Sequence, residues 1–173
     1  MEQIIALVDE TLAARSSGEV PAVTPDDLAG ALGTSQADQY LAAVRDTNAA
    51  AQVLLRNAVS AGVVVRQVLD LWAVRTLLTI EGRFIFGYTR GCQHLDRSLN
   101  QPTIAAAWMP EVVVCVRCLP ELELEHGSVE DLQCDRCGYV IDTATEVISH
   151  GSYVERNLTL LYGACPRCVA LLG

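Results

Sequence analysis

Six of the seven cysteines in this 173-residue chain occur as pairs separated by two residues: CVRC (Cys115, Cys118), CDRC (Cys134, Cys137) and CPRC (Cys165, Cys168). The tight turn within such a pair aims both sulfurs at one centre and leaves backbone N–H groups free to bond the thiolates, so two pairs make one tetrahedral metal site. Three pairs supply six ligands, one full site and half of another. The seventh cysteine stands in GCQHLDR, where Cys92 and His94 are separated by one residue. In an extended segment those two side chains point the same way. Adding them brings the total to eight, enough for two ions of four ligands each. Asp96, two residues beyond His94, is a candidate partner that would orient the imidazole ring. His126 and His150 each open an HGS segment read as a turn, and they are taken as solvated.

Other uses of these cysteines are weaker. An odd count and the lack of an export signal argue against a disulfide framework. A thioredoxin-like redox pair would not account for three pairs clustered late in the chain. An iron–sulfur cluster is the less favoured alternative to two zinc ions, since four thiolates also bind iron. Four half-sites pair in three ways. The preferred, consecutive arrangement unites Cys92, His94, Cys115 and Cys118, and separately Cys134, Cys137, Cys165 and Cys168. A middle pairing joins Cys115 and Cys118 to Cys134 and Cys137 across fifteen residues, a spacing usual in ribbons. A crossed pairing is the third.

The elements that must position these residues divide the chain near residue 80. All the cysteines and histidines follow that point, so the expected class is α+β: a helical domain over about 1–78, then a small β-rich domain binding two metals over about 83–173. In the first part, Glu2 to Ser16 reads as an amphipathic helix, and Thr24-Pro25 with Asp27 reads as a helix start. From Ser35 a long seam recurs at spacings of three and four: Leu41, Val44, Asn48, Ala51, Leu55, Ala58, Gly62, Val65, Leu69 and Trp72. It suits either an ordinary core helix or a homo-oligomer interface through Leu41–Trp72. LLTI-EG-RFIFGY reads as a hairpin turning at Glu81 and Gly82. EVVVCVRC reads as a strand entering a turn, and LELE, GYVID and NLTLLYG as further strands. CPRCVALLG reads as a pair opening a terminal helical turn. The two HGS segments hint at two related hairpins.

The formal charge of −9 falls to about −12 once seven thiolates and two divalent ions are counted. Binding to nucleic acid depends on neutralising phosphates, so that partner class is disfavoured, although each pair carries Arg as its third residue (Arg117, Arg136, Arg167). These arginines are better read as compensating the thiolates. All twelve basic residues are Arg, a bias that a GC-rich genome alone produces. Arg66, Asp70 and Arg75 interrupt the longest apolar stretch, so no membrane span is expected, and the expected compartment is the cytoplasm.

On CVRC, CDRCG and CPRC, residues 91–173 resemble zinc-ribbon and treble-clef zinc-binding domains. They are also similar to small zinc-ribbon proteins of GC-rich actinobacteria, which pair a Cys-x-His segment and an Ala-Trp stretch with later CxxC turns; here these are GCQHL and AAAWMPEVVVCVRC. The resemblance implies metal binding and no particular reaction. A catalytic zinc keeps an open position, whereas the ligand count closes both sites, and neither an HExxH helix nor a deaminase pattern is present. The expected role is therefore a structural adaptor or regulator that contacts other proteins. A nucleic-acid-binding regulator is the alternative, and a zinc enzyme stands third.

Overall fold

The computed structural model describes residues 34–60, 71–95 and 101–171. The helices expected at Glu2–Ser16 and after Thr24, the seam positions Gly62, Val65 and Leu69, and Asp96 lie outside the described residues. The architecture is α+β. Helix α1 (Thr34–Ser60) and helix α2 (Leu71–Ile85) precede strands β1 (Arg90–Gly91), β2 (Thr103–Ala106) and β3 (Met109–Cys115). A 3-10 helix (Val116–Leu122), strands β4 (Ser149–Glu155) and β5 (Leu158–Ala164), and helix α3 (Pro166–Ala170) complete it. The strands form one mixed sheet in the order β1-β3-β2-β5-β4. No helix among the described residues is long and apolar enough to cross a membrane.

Helix α2 is where the sequence reading fails first. The expected hairpin around Glu81 and Gly82 is helix, because Ala73, Val74, Leu77, Leu78, Glu81 and Phe84 recur every three to four residues and all lie on the buried side. Of the residues read as strands, Leu77, Leu78, Ile80 and Phe84 supply the buried side, while Ile85 and Phe86 are exposed. The turn comes one step later. Gly87, at φ 81°, donates to Phe84 O at 3.1 Å while Tyr88 N donates to Arg83 O at 2.8 Å, which is the Schellman ending that a glycine after the last helical residue permits.

The sheet has two covered faces, and its two-residue period decides which side chains go where. Ala105, Val113, Leu158 and Leu160 pack with Leu77, Ile80 and Phe84 of α2. The intervening residues Ala106, Val112 and Val114 pack with Cys92, Cys115 and Leu122 on the opposite face. The helix is also tied down by charge: Arg156, in the β4–β5 turn, places its guanidinium nitrogen 3.4 Å from the buried Glu81 carboxylate. That turn is anchored in its own right, because Thr103 N and the Asn157 side chain bond across to Asn157 O and Gln101 O at 2.8 and 3.1 Å. Helix α1 touches β4 and buries Ala43 and Thr47, four residues apart; the Thr47 hydroxyl is satisfied by Ala43 O at 2.9 Å.

Strands β3 and β5 form where EVVVC and NLTLLYG were expected. LELE does not form a strand. The chain enters the 3-10 helix at Val116, and Leu122 at its end is buried under the sheet, so the alternating glutamates lie along an unpaired segment. GYVID contributes one isolated bridge, Gln133 to Val140. The second HGS is not a turn but part of β4. Gly151 faces Tyr162 across the ladder, and a β-carbon there would come within 2.5 Å of the Tyr162 ring. Glycine serves here as room for a cross-strand aromatic, which packs edge-on to Trp72 at 5.8 Å.

Candidate metal centres

The first centre is assembled at one edge of the sheet. Strand β1 runs parallel to β3 and delivers Cys92 beside the end of that strand, where Cys92 N donates to Val113 O at 3.2 Å. Cys115 ends β3, and Cys118 lies in the 3-10 helix that follows, so the two sulfurs turn towards Cys92; Cys115 N donates to the Cys92 sulfur at 3.3 Å. A turn closed by Leu95 N to Cys92 O, 3.0 Å, brings His94 back, and its Nδ1 stands 3.3 Å from the Cys118 sulfur. Two supports went unseen in the sequence. The Gln101 side-chain amide donates to His94 O at 2.5 Å, and Trp108 Nε1 donates to Leu122 O at 2.9 Å, tethering the far end of the 3-10 helix. Neither carries a spacing signal, since each is a side chain that bonds a backbone carbonyl several residues away in a non-helical segment.

The second centre forms at the end of β5. Cys134 N donates to Tyr139 O and Gly138 N to Cys134 O, both at 2.8 Å, and Gly138 sits at φ 73°, a left-handed conformation that suits glycine. This turn is clipped to β5 by Asp135: its N donates to Gly163 O at 3.0 Å, and its carboxylate accepts from Gly163 N at 2.6 Å. The clip places Cys134 and Cys137 next to Cys165, which opens α3, with Cys168 inside it.

Each predicted half-site has found a partner in the consecutive arrangement. Cys92, His94, Cys115 and Cys118 form one group and Cys134, Cys137, Cys165 and Cys168 the other, with one ligand atom per residue and all four atoms of a group within 4.8 Å of one another. Either group could hold a metal ion. Four sulfurs about 2.3 Å from a tetrahedral ion would stand about 3.8 Å apart, and the Cys137 and Cys165 sulfurs are 3.8 Å apart. His126 and His150 belong to neither group. The former is fully exposed and pairs with Asp131 at 3.4 Å; the latter is exposed on β4. Of the three arginines, Arg167 lies over the Tyr139 ring, 5.0 Å from its centroid, and the Tyr139 hydroxyl donates to Glu146 at 2.9 Å.

The thiols within each group differ. Burial opposes ionisation of Cys134, but the N–H groups of Cys165, Cys137 and Arg136 aimed at its sulfur bring it down to about 7. Burial likewise opposes ionisation of Cys115, and the N–H groups of Cys118 and Arg117 prevail and lower it. Cys118 moves the other way, to about 12, because its thiol is hydrogen-bonded to Glu121 and desolvated. Cys168 is pushed up by burial and by its sulfur neighbours. Metal binding must displace the protons held by the raised thiols, so affinity rises with pH. Cys168 and Cys137, both raised, give up their protons only to the metal at a pH near neutral, while Cys134 adds a further displaced proton below about pH 7. Affinity at the second centre should therefore rise with pH, by about tenfold per pH unit for each proton displaced, and more steeply below about pH 7 than above it. Competition with a chromophoric chelator between pH 6 and 8 measures this, and a flat profile would exclude thiolate ligation.

At the first centre, His94→Ala should weaken one of two metal ions by more than the roughly 10–100-fold typical of changes outside the ligand sphere, leaving the other unchanged. Metal analysis after limited chelation reads that difference. No protein-family model matches the chain, and neither a curated protein nor a solved structure matches it.

Proposed function

We propose that this chain is a structural zinc protein of the cytoplasm, an adaptor or regulator that acts through protein–protein contacts. The observation that supports it is the completeness of both donor sets: four protein ligands are gathered at each centre, which leaves no coordination position for a substrate or a reactive water. Sets of four thiolates and of three thiolates with one imidazole are those of structural zinc. The second centre resembles a treble clef, with a CxxC turn, a β-hairpin and a second CxxC at the start of a helix, and the first resembles a zinc ribbon. Unpaired thiols, as all seven cysteines are here, persist in a reducing compartment.

The metals would hold together what burial alone does not. Residues 123–148 contain no strand longer than a single bridge, and small elements of this kind gain stability from a structural metal. Helix α1 leaves Val53 and Val59 exposed, and Ile85 at the end of α2 and Phe86 and Tyr88 after it are exposed. These surfaces are available for a protein partner or for self-association along the seam that includes Val44, Asn48 and Ala51. Cobalt substitution tests the central point. Two tetrahedral ions per chain with sulfur-rich charge-transfer bands are expected, and X-ray absorption should show no oxygen ligand. An oxygen ligand at either ion would restore an enzymatic reading. Binding of DNA or RNA that weakens steeply with salt would instead favour the nucleic-acid-binding alternative.

A further inference from the structure

Between the two metal-binding segments lies a cavity of about 350 Å³, at the lower end of the range for small-molecule sites. Its walls come from both sides. Leu119 and Leu122 belong to the 3-10 helix that carries Cys118, Asp135 follows Cys134 directly, and Ile148, His150 and Leu161 come from the β4–β5 region. Trp108 contributes carbon to this wall, because its indole N–H is already bonded to Leu122 O. The interior is thus mainly apolar.

Apart from Gln133 and His150, its polar side chains are acidic. Glu123, Glu130, Asp131 and Asp135 line it, no Arg is among the lining residues, and His150 is the one basic group there. The chain contains no Lys. Asp131 is engaged by Gly127 N at 2.8 Å and Asp135 by Gly163 N at 2.6 Å, which fixes their positions as acceptors, while Glu123 and Glu130 stand exposed at the rim. The four carboxylates are not a metal site. Among the described residues the groups close enough to hold an ion are the two cysteine centres, and none of these acids belongs to them. Dispersed carboxylates around an apolar pocket suit a larger cation whose charge and hydrophobic body are separate.

We infer that this cavity binds a small organic cation, an ammonium or guanidinium group attached to an aromatic or branched aliphatic body. The body would lie against Trp108, Leu122, Ile148 and Leu161, and the cationic end would face the carboxylates at the rim, where the attraction is the modest one of an exposed ion pair. The inference rests on the metal reading only in that both metal-binding turns form the walls.

Titration of the full-length protein with 3-phenylpropylammonium, 3-phenylpropanol and 3-phenylpropionate, followed by amide NMR, tests it, with metal content measured on the same sample. The ammonium should bind most tightly and shift the amides of Leu122, Ile148 and Leu161, while the carboxylate should not bind. The double variant Glu123→Gln with Glu130→Gln should bind the ammonium roughly two- to thirtyfold more weakly, with metal content unchanged, and Glu111→Gln on β3 should bind as the parent does. Equal binding of all three probes, an unchanged double variant, or no ammonium-dependent shift at these amides would overturn the proposal. If the sample holds two metals and shows any of these, the cavity reading alone fails; if it is folded and holds none, the metal reading fails and the same titration still decides the cavity.

Discussion

Replacing Cys165 with Ser is expected to reduce the metal content from two ions to one and to release the segment that the second centre organises. Cys165 is fully buried, directly follows β5 and caps α3, and accepts a 3.0 Å bond from Val169 N at its carbonyl. Its own N–H points at the Cys134 sulfur, so it serves the centre both as ligand and as donor. A serine hydroxyl is too poor a ligand to replace a thiolate on zinc. The centre shares a small cluster with Ile141, Ile148 and Ala164, which offers little burial to fall back on once the ion is gone. Because binding energy at a structural zinc is folding energy, on the order of 10–16 kcal/mol in small domains, a loss of several kcal/mol is expected in this region. Hydrogen exchange should show Cys134 N, Gly138 N and Ile141 N losing protection while the α2–sheet core keeps it. Two ions still bound, with unchanged exchange in residues 123–148, would refute the assignment of Cys165 as a ligand.

Leu77→Ala should produce the second large effect, and it should act on stability alone. Leu77 is completely buried among Ala105, Val113, Leu158 and Leu160, the residues through which α2 covers the sheet. Truncating a leucine in such a position removes transfer energy and leaves a cavity, a cost of about 2–5 kcal/mol. The first centre packs on the opposite face of the sheet with Ala106, Val112 and Val114, so the variant should still carry two ions. Urea denaturation measures the loss and metal analysis the retention. A cost under about 1 kcal/mol would mean that α2 is not docked as described.

The two variants separate what was readable in the residues from what was not. A CxxC turn is a local object, and so are the two-residue alternation of β3 and β5 and the CPRC that opens α3; neighbours in the chain are enough to specify them. Helix α2 was misread because its 3.6-residue stripe and a strand's apolar run contain the same residue types, and only the sheet lying against it shows which period is used. LELE alternated as a strand would, yet it has no partner, because the Cys115–Cys118 turn redirects the chain and buries Leu122. Gly151 looked like a turn residue, whereas its role is set by Tyr162 on the neighbouring strand.

By itself the sequence offered the candidate donors: eight residues of the right chemistry, in four half-sites. Which half-sites meet was decided by tertiary structure. Closing a longer loop costs only about 0.6 kcal/mol per doubling of its length, so the spacings left all three pairings open. Strand pairing separates them. Strand β1 lies parallel to β3 and carries Cys92 and His94 to Cys115 and Cys118, while the Asp135–Gly163 clip holds Cys134 and Cys137 against the end of β5, where Cys165 and Cys168 follow.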